Sequence, residues 1–157
     1  MRQKAKSRIR LDPSDAKHDY HESPFYDMAR MIGLYHQKLD AALKPIGIDA
    51  PRWRVLCILQ KYQSATVTKI SVEAVTKMST MAKIVQRMTL QGLVVTRASA
   101  EDARSTEVRL TEKGLRMLEV SSKKVSIINR QVFSGVSDRD VDLITLISRK
   151  AYANLAP

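Results

Sequence analysis

The chain has 157 residues, of which 44% are hydrophobic and 27% are charged, and its formal net charge is +11. This composition is that of a single globular domain or one subunit of a compact dimer, and the low glycine and proline content favours helix. No run of about 18 apolar residues occurs, so no membrane-spanning helix is predicted. The strongly basic balance indicates a polyanionic partner, either nucleic acid or an anionic membrane surface.

Residues 1 to 22 are predicted to form a flexible basic arm. Five of the first ten residues are lysine or arginine, and no apolar segment follows them, so this is not the pattern of a secretory signal. His18 and His21 stand farther along the arm among three acids, Asp15, Asp19 and Glu22. That spacing is weak evidence for a metal site, and neither a metal nor a cofactor is predicted.

Four helices are predicted before residue 91. Ser23 and Pro24 start the first as N-cap and first helical residue, and a heptad-like apolar seam follows at Phe25, Met28, Ile32, Tyr35, Leu39, Ala42 and Ile46. The second helix spans residues 49 to about 62, with Val55, Leu56, Ile58 and Leu59 on its apolar face. After a break at 63–65, a weaker third helix spans 66 to 75. Ser79 is predicted to cap the fourth, whose apolar face is Met81, Ile84, Val85 and Met88.

A β-hairpin and two long helices are predicted in the rest of the chain. Residues 93–97 and 106–110 alternate between apolar and polar types around a short polar loop, which is the pattern of a hairpin. A helix follows from about 111 to 133. Ser137 and Asp140 then form a capping-box-like start to a last helix that ends near 154, with an inner face at Val141, Ile144, Ile147, Ala151 and Leu155. The first helix and the last two are more apolar than the middle domain can cover, which indicates packing across a dimer two-fold axis.

The only cysteine is Cys57, so no intramolecular disulfide can form and a reducing cytoplasm is predicted. Its neighbours in the chain are apolar, as expected for a small buried hydrophobe. A redox sensor, which needs an exposed thiolate of low pKa, is the alternative interpretation.

The fourth helix and the hairpin together resemble the MarR (multiple antibiotic resistance regulator) family. The residues that carry the resemblance are Ser79-Thr80-Met81-Ala82-Lys83-Ile84-Val85-Gln86-Arg87-Met88, Gln91-Gly92-Leu93-Val94, Asp102-Ala103-Arg104 and Leu110-Thr111-Glu112-Lys113-Gly114. The resemblance covers residues 24 to 155. It implies a mainly α fold with a small β-hairpin wing, a winged helix-turn-helix lobe at 49–110 and a helical dimerisation region at 23–48 and 111–157. Members of the family are dimeric DNA-binding regulators, mostly repressors, often released by small aromatic acids.

The predicted DNA contacts lie on the fourth helix and in the wing. Arginine and lysine donate to guanine, glutamine can read adenine, and serine or threonine can bond a phosphate or a base. The candidates are Ser79, Thr80, Ala82, Lys83, Gln86 and Arg87 on the helix, with Arg97, Asp102 and Arg104 in the wing. Arg104 at the tip is expected to enter the minor groove, with Asp102 holding either Arg97 or Arg104. The alternative is a solvated polar face and a weak surface ion pair.

Two positions depart from the family pattern. Ala82 stands where the family often has a hydroxyl residue, and Ser105 replaces a frequent second acid of the wing. These departures put one polar DNA contact and the internal ion pairing of the wing in question.

An effector site is predicted from the family's pocket between the dimerisation helices and the DNA-binding lobe. Its candidate residues are Met28, Ile32, Tyr35, His36, Arg52 and Trp53. An aromatic acid or its thioester would need an apolar slot and a cation, which Arg52 or His36 could supply. The alternative is that Trp53 belongs to the core and Arg52 faces water.

The predicted function is that of a homodimeric, ligand-responsive repressor of a pseudo-palindromic operator. No nucleophile–base motif, glycine-rich phosphate loop or catalytic carboxylate pair occurs, so an enzyme is not expected. Two other classes stay open: a winged-helix module that binds protein, and a basic protein that coats DNA without sequence preference.

Overall fold

The computed structural model describes residues 12–98 and 105–156. The chain divides into two compact units, residues 1–50 and residues 51–157. The described residues are mostly helical, with one small antiparallel sheet of three strands, which confirms the predicted fold class. No helix in these described ranges is long and apolar enough to cross a membrane.

The first unit is dominated by helix α1, Pro24–Leu43, which is followed by a 3-10 turn, Lys44–Ile46. The Ser23 hydroxyl accepts a hydrogen bond from the Phe25 amide at 3.3 Å, so the predicted N-cap is confirmed. Gly47 ends the turn at a φ of 77°, where glycine alone carries no steric penalty. A short 3-10 helix, Tyr20–Glu22, precedes α1, within the segment predicted as an arm, whose basic residues 1–10 lie outside the described residues.

The predicted apolar seam of α1 is exposed to solvent in its first half in the single chain. Leu39 and Leu43 are buried near the C-terminal end of the helix. By contrast, Phe25, Met28 and Ile32 are exposed in its first half. The periodicity that predicts the helix is therefore present, but three of its seven apolar side chains are exposed within one chain.

Helix α2, Ala50–Tyr62, is followed by a strand that the sequence did not predict. All four predicted apolar residues of α2, from Val55 to Leu59, are buried. Residues 63–65 were predicted as a break, but Ser64–Thr66 form strand β1 after a sharp reversal at Gln63, whose φ is 62°. Three residues are too few to show an alternating pattern, so pairing with a distant strand decides their conformation. Helix α3, Val67–Glu73, follows with Thr66 as its N-cap.

Helix α4, Met78–Leu90, starts earlier than predicted, and Ser79 is not its N-cap. The N-cap is Lys77, which makes no side-chain capping hydrogen bond. The Lys77 carbonyl accepts hydrogen bonds from the amides of Thr80 and Met81, so Ser79 already lies in the first turn. The predicted apolar face is otherwise confirmed, since Met81, Val85 and Met88 are buried and Ile84 is half-buried.

The predicted hairpin is confirmed as strands β2, Val94–Ala98, and β3, Thr106–Leu110. The strand order is β1-β3-β2, with β3 antiparallel to both neighbours. In this register Arg97 lies opposite Glu107, and Glu107 lies opposite Thr66 on the other side. The hairpin tip, including Asp102 and Arg104, lies outside the described residues.

The last two predicted helices are present as α5, Glu112–Val132, and α6, Asp138–Leu155. Ser137 caps α6, accepting a hydrogen bond from the Asp140 amide at 3.2 Å, as the capping-box pattern predicted. No residue of α6 is buried, and Ile144 and Ile147 are 47% and 49% exposed. The predicted inner face of α6 is therefore exposed in the single chain, and its burial in a dimer stays a prediction.

Candidate nucleic-acid interface

The exposed side of α4 presents a mostly polar strip of side chains. Met81, Val85 and Met88 are buried and Ile84 is half-buried, so the residues on the opposite face of the helix point to solvent. Six of these exposed positions were predicted to contact DNA: Ser79, Thr80, Ala82, Lys83, Gln86 and Arg87. They share one face of the helix and are available to a groove, and their contact with DNA stays a prediction.

A cavity of about 300 Å³ separates α4 from the strands of the wing. Ala82 and Gln86 line it from the helix, and Thr96 and Thr106 line it from the two strands. The remaining lining residues are Val67, Val85, Thr89 and Leu90. The edge of α4 that faces the wing therefore carries no charge, and the cations Lys83 and Arg87 are not among the residues that line the cavity.

An ion pair joins the two strands of the wing near its tip. Arg97 Nε lies 2.7 Å from Glu107 Oε2, and Arg109 Nη2 lies 3.6 Å from the same oxygen. The Ser64 hydroxyl and then the Arg97 guanidinium lower the pKa of Glu107 below its ordinary value. The sequence had offered Asp102 as a partner of Arg97, but the partner found in the described part of the wing is Glu107, and both Asp102 and Arg104 lie outside it.

The C-terminal end of α4 is tied to the first turns of α2 and α5. Gln91 is the C-cap residue of α4, and its side-chain oxygen accepts a hydrogen bond from Arg52 Nη1 at 2.9 Å. Its backbone carbonyl accepts a hydrogen bond from Lys113 Nζ at 2.8 Å. Two cations at a helix C-terminus also complement the helix dipole. Arg52, predicted as an effector-binding cation or a solvent-facing residue, therefore bonds to the end of α4.

Thr111 and Gly114 complete this junction. The Thr111 hydroxyl donates to the Gly92 carbonyl at 2.7 Å and accepts from the Gly114 amide at 3.0 Å, so one side chain both caps α5 and holds the chain after α4. A Cβ on Gly114 would overlap the Leu93 carbonyl oxygen. Only glycine permits this close approach of α5 to the start of the wing.

The turn between α3 and α4 is held by hydrogen bonds to one carbonyl. The Ala74 oxygen accepts from Arg54 Nη1 at 3.3 Å and from Thr76 Oγ1 at 3.1 Å. Val75, between them, has a φ of 50°, an unfavourable conformation for a β-branched residue. Sequence reasoning missed Arg54, Glu107 and Lys113, because their roles depend on partners 10 to 22 residues away.

The six residues predicted to bind an effector belong to two helices. On α1, Met28 and Ile32 are exposed, whereas Tyr35 and His36 are half-buried. On α2, Arg52 and Trp53 are half-buried, and the Trp53 Nε1 atom is buried without a hydrogen-bond partner in the described ranges. The effector site stays a prediction.

Cys57 and the histidines of the arm have ordinary structural surroundings. Cys57 is half-buried, and burial raises the pKa of its thiol to about 11, which opposes the low pKa that a redox sensor needs. His21 Nδ1 lies 3.1 Å from Asp19 Oδ1. Across residues 12–98 and 105–156, no group of three histidine, cysteine or acidic residues is arranged to hold a metal.

Known proteins resemble this chain in architecture and in sequence. The family model described as "MarR family" matches residues 48–106. The chain is 38% identical over 144 residues, 92% of its length and 86% of the relative's, to the HTH-type transcriptional repressor IacR of Pseudomonas putida.

Two solved structures share the fold. The first is a mutant MarR from E. coli complexed with operator DNA (TM-score 0.71, 18% identity, 79% of this chain and 89% of that one). The second is Bordetella bronchiseptica BpsR, whose DNA binding is regulated by 6-hydroxynicotinic acid (TM-score 0.77, 17% identity, 86% and 96%). The extent of the match to the repressor, together with the winged fold, shows that this chain belongs to the MarR family.

Proposed function

We propose that the chain is a transcriptional repressor that binds double-stranded DNA through α4 and the wing. The observation that carries the proposal is the exposed polar strip of α4, backed by a buried apolar face and placed beside an arginine-bearing hairpin. A helix of this kind fits the major groove, and a wing reaches the adjacent groove or backbone. The net charge of +11 favours a polyanion, and the repressor IacR is similar over most of the chain.

The repressor is proposed to act as a homodimer on a pseudo-palindromic operator. The support is the apolar surface that one chain leaves in water: Phe25 of α1 is 65% exposed, and Ile144 and Ile147 of α6 are 47% and 49% exposed. Surfaces of this kind mark association sites in small proteins. A two-fold dimer would present two copies of α4 to half-sites about one helical turn apart. Residues 23–48 and 111–157 are proposed to supply the dimerisation region.

A small aromatic acid or its thioester is proposed to release the DNA. Support comes from the residue types that α1 and α2 supply, aromatic and apolar side chains with a histidine and an arginine, and from BpsR, whose regulator is such an acid. Burying a carboxylate without a cation or several donors would be costly. Because Arg52 already donates to Gln91, His36 is the other candidate cation. The effector would act by binding one dimer shape better than another.

The experiment that tests the function is selection of bound sites from random DNA by the purified chain. A repressor should enrich one sequence with two related halves and keep it in the presence of excess bulk DNA. Repeating the selection with aromatic acids and their coenzyme A thioesters should show which compounds release that sequence.

Other outcomes would favour the competing classes. Uniform binding that bulk DNA removes would indicate a coating protein, and no DNA binding at all would favour a protein-interaction module. The polar composition of the α4 strip opposes the second class, because protein-binding surfaces are more apolar at their centres. As a regulator the chain is not expected to be an enzyme, and we expect it in the cytoplasm, where the DNA is.

A further inference from the structure

The wing carries an acid where a DNA-binding surface would be expected to avoid one. Glu107 lies on the central strand β3, and its side chain is only 23% exposed, whereas that of Arg97 is 59% exposed. A carboxylate close to DNA repels phosphates, so an acid at this place needs a reason. The contacts of Glu107 supply one.

Glu107 holds Arg97 in a defined orientation. Its Oε2 atom meets the Nε atom of Arg97 at 2.7 Å, and register places the two residues directly opposite each other. A carboxylate bound at Nε engages one edge of the planar guanidinium and leaves the far edge, with its two terminal nitrogens, for another acceptor. Within the described residues those terminal nitrogens have no hydrogen bond.

The carboxylate of Glu107 has two further polar neighbours in the sheet. Ser64 of β1 contributes a buried hydroxyl close enough to lower the pKa of Glu107, although its geometry is not that of a full hydrogen bond. Arg109, on β3 itself, approaches the same oxygen at 3.6 Å. The charge of Glu107 is thus shared by two arginines, and the cluster keeps a net positive charge.

Resting on the proposed DNA-binding function, we propose that Glu107 is a positioning residue that aims the free edge of Arg97 at a DNA phosphate beside the wing. A free arginine side chain has many rotamers, and ordering it on binding costs entropy. Pairing with Glu107 orders the side chain beforehand, so the phosphate contact is made from a prepared geometry. Arg97 is the penultimate residue of β2, next to the hairpin tip.

The proposal predicts a change in DNA affinity that is opposite in sign to the change expected from charge alone. Removing an acid from a DNA-binding lobe should strengthen binding by ordinary electrostatics. If Glu107 positions Arg97, then Glu107→Gln should weaken affinity for the selected operator by about two- to fivefold, the range of an exposed ion pair. Affinity for unrelated DNA should fall by a similar factor, because a phosphate contact carries no sequence information.

The matched control is Glu119→Gln. Glu119 is also an exposed acid paired with a cation, since its Oε1 atom lies 2.7 Å from Lys123 Nζ on α5. The Glu119→Gln substitution removes the same charge without touching the wing, so operator affinity should stay level or rise slightly. Thermal unfolding of both variants should show that Glu107→Gln remains folded.

A double-mutant cycle completes the test. Arg97→Ala should weaken operator binding, and adding Glu107→Gln to it should cause no further loss, because the positioned group is already gone. The proposal is overturned if Glu107→Gln binds the operator as tightly as the parent or more tightly, or if the two losses simply add. If the parent itself selects no sequence, the proposed function fails instead, and the two failures are distinguishable.

Discussion

Helices α4 and α6 are both amphipathic, yet only α4 buries its apolar side within the chain. Met81, Val85 and Met88 are nearly inaccessible, whereas no residue of α6 is buried. The start of α6 is the better formed of the two, since Ser137 caps it and α4 has no side-chain cap. Local signals therefore specify that a helix forms, but they do not specify what packs against its apolar side. The exposed apolar side of α6 needs a partner, and a second copy of the chain is the one we propose.

The largest effect is expected from a substitution on the exposed apolar side of α6. Ile147→Asp places a charge on the apolar side that we propose to be buried in a dimer, where an unpaired charge is strongly unfavourable. Sedimentation should show loss of the dimer, and operator binding should fall by orders of magnitude because one half-site is lost. Ala153→Asp puts the same charge on the opposite side of α6 and should keep the dimer. A variant at Ile147 that stays dimeric would contradict the proposed dimer surface.

The next effect concerns the junction that holds α4. Gly114→Ala adds a Cβ that overlaps the Leu93 carbonyl oxygen, so the backbone must shift. We expect a loss of about 1–3 kcal/mol or more in the free energy of unfolding, measured by denaturant titration. Gly33→Ala is the matched control, because an added Cβ there meets nothing within 4 Å. That exposed helical position should gain about 0.5–1 kcal/mol. Equal effects at both sites would show that the junction is not tightly packed.

A smaller effect separates two roles of Arg52. Because Arg52 Nη1 donates to Gln91 Oε1 at the end of α4, Arg52→Ala should weaken operator binding by about two- to tenfold, the worth of one such hydrogen bond. Gln91→Ala should behave alike, and the double variant should be no worse than either. Arg116→Ala, which removes an exposed cation of α5, is the control for lost charge. If Arg52→Ala keeps operator affinity and loses only the effector response, the original effector-site prediction is the correct one.

The smallest expected effect is a change in the pKa of Glu107 in the wing. Ser64 is the largest cause of the lowered pKa of Glu107, so Ser64→Ala should raise that pKa toward the ordinary value of 4.5. A carboxyl with a lowered pKa adds stability that is complete above its unfolded pKa and is lost as pH falls through the folded pKa. The stability that Glu107 contributes is therefore lost below about pH 4.5. Carboxyl NMR titration of Glu107 in both proteins measures it, and an unchanged pKa would remove Ser64 from the cluster.

Most helices and the hairpin could be predicted from the sequence, because their signals are local. Ser23 with Pro24, the spacing of Met81, Val85 and Met88, and Ser137 with Asp140 each act within one or two helical turns. The exposed polar strip of α4 followed from the same periodicity. The N-cap of α4 was misplaced, because a backbone carbonyl of Lys77 starts that helix and leaves no side-chain signature.

Tertiary structure alone decided the contacts between distant segments. Strand β1 exists because Ala65 pairs with Val108, and Arg97 meets Glu107 because the hairpin register sets them opposite each other. Arg52 reaches Gln91 across 39 residues. Such pairings depend on how loops close and elements pack, which no short window of sequence contains. Periodicity and capping determine which elements this chain forms. Packing in three dimensions decides which partner each exposed side chain meets. It therefore also decides whether Arg52 binds an effector or holds the end of α4.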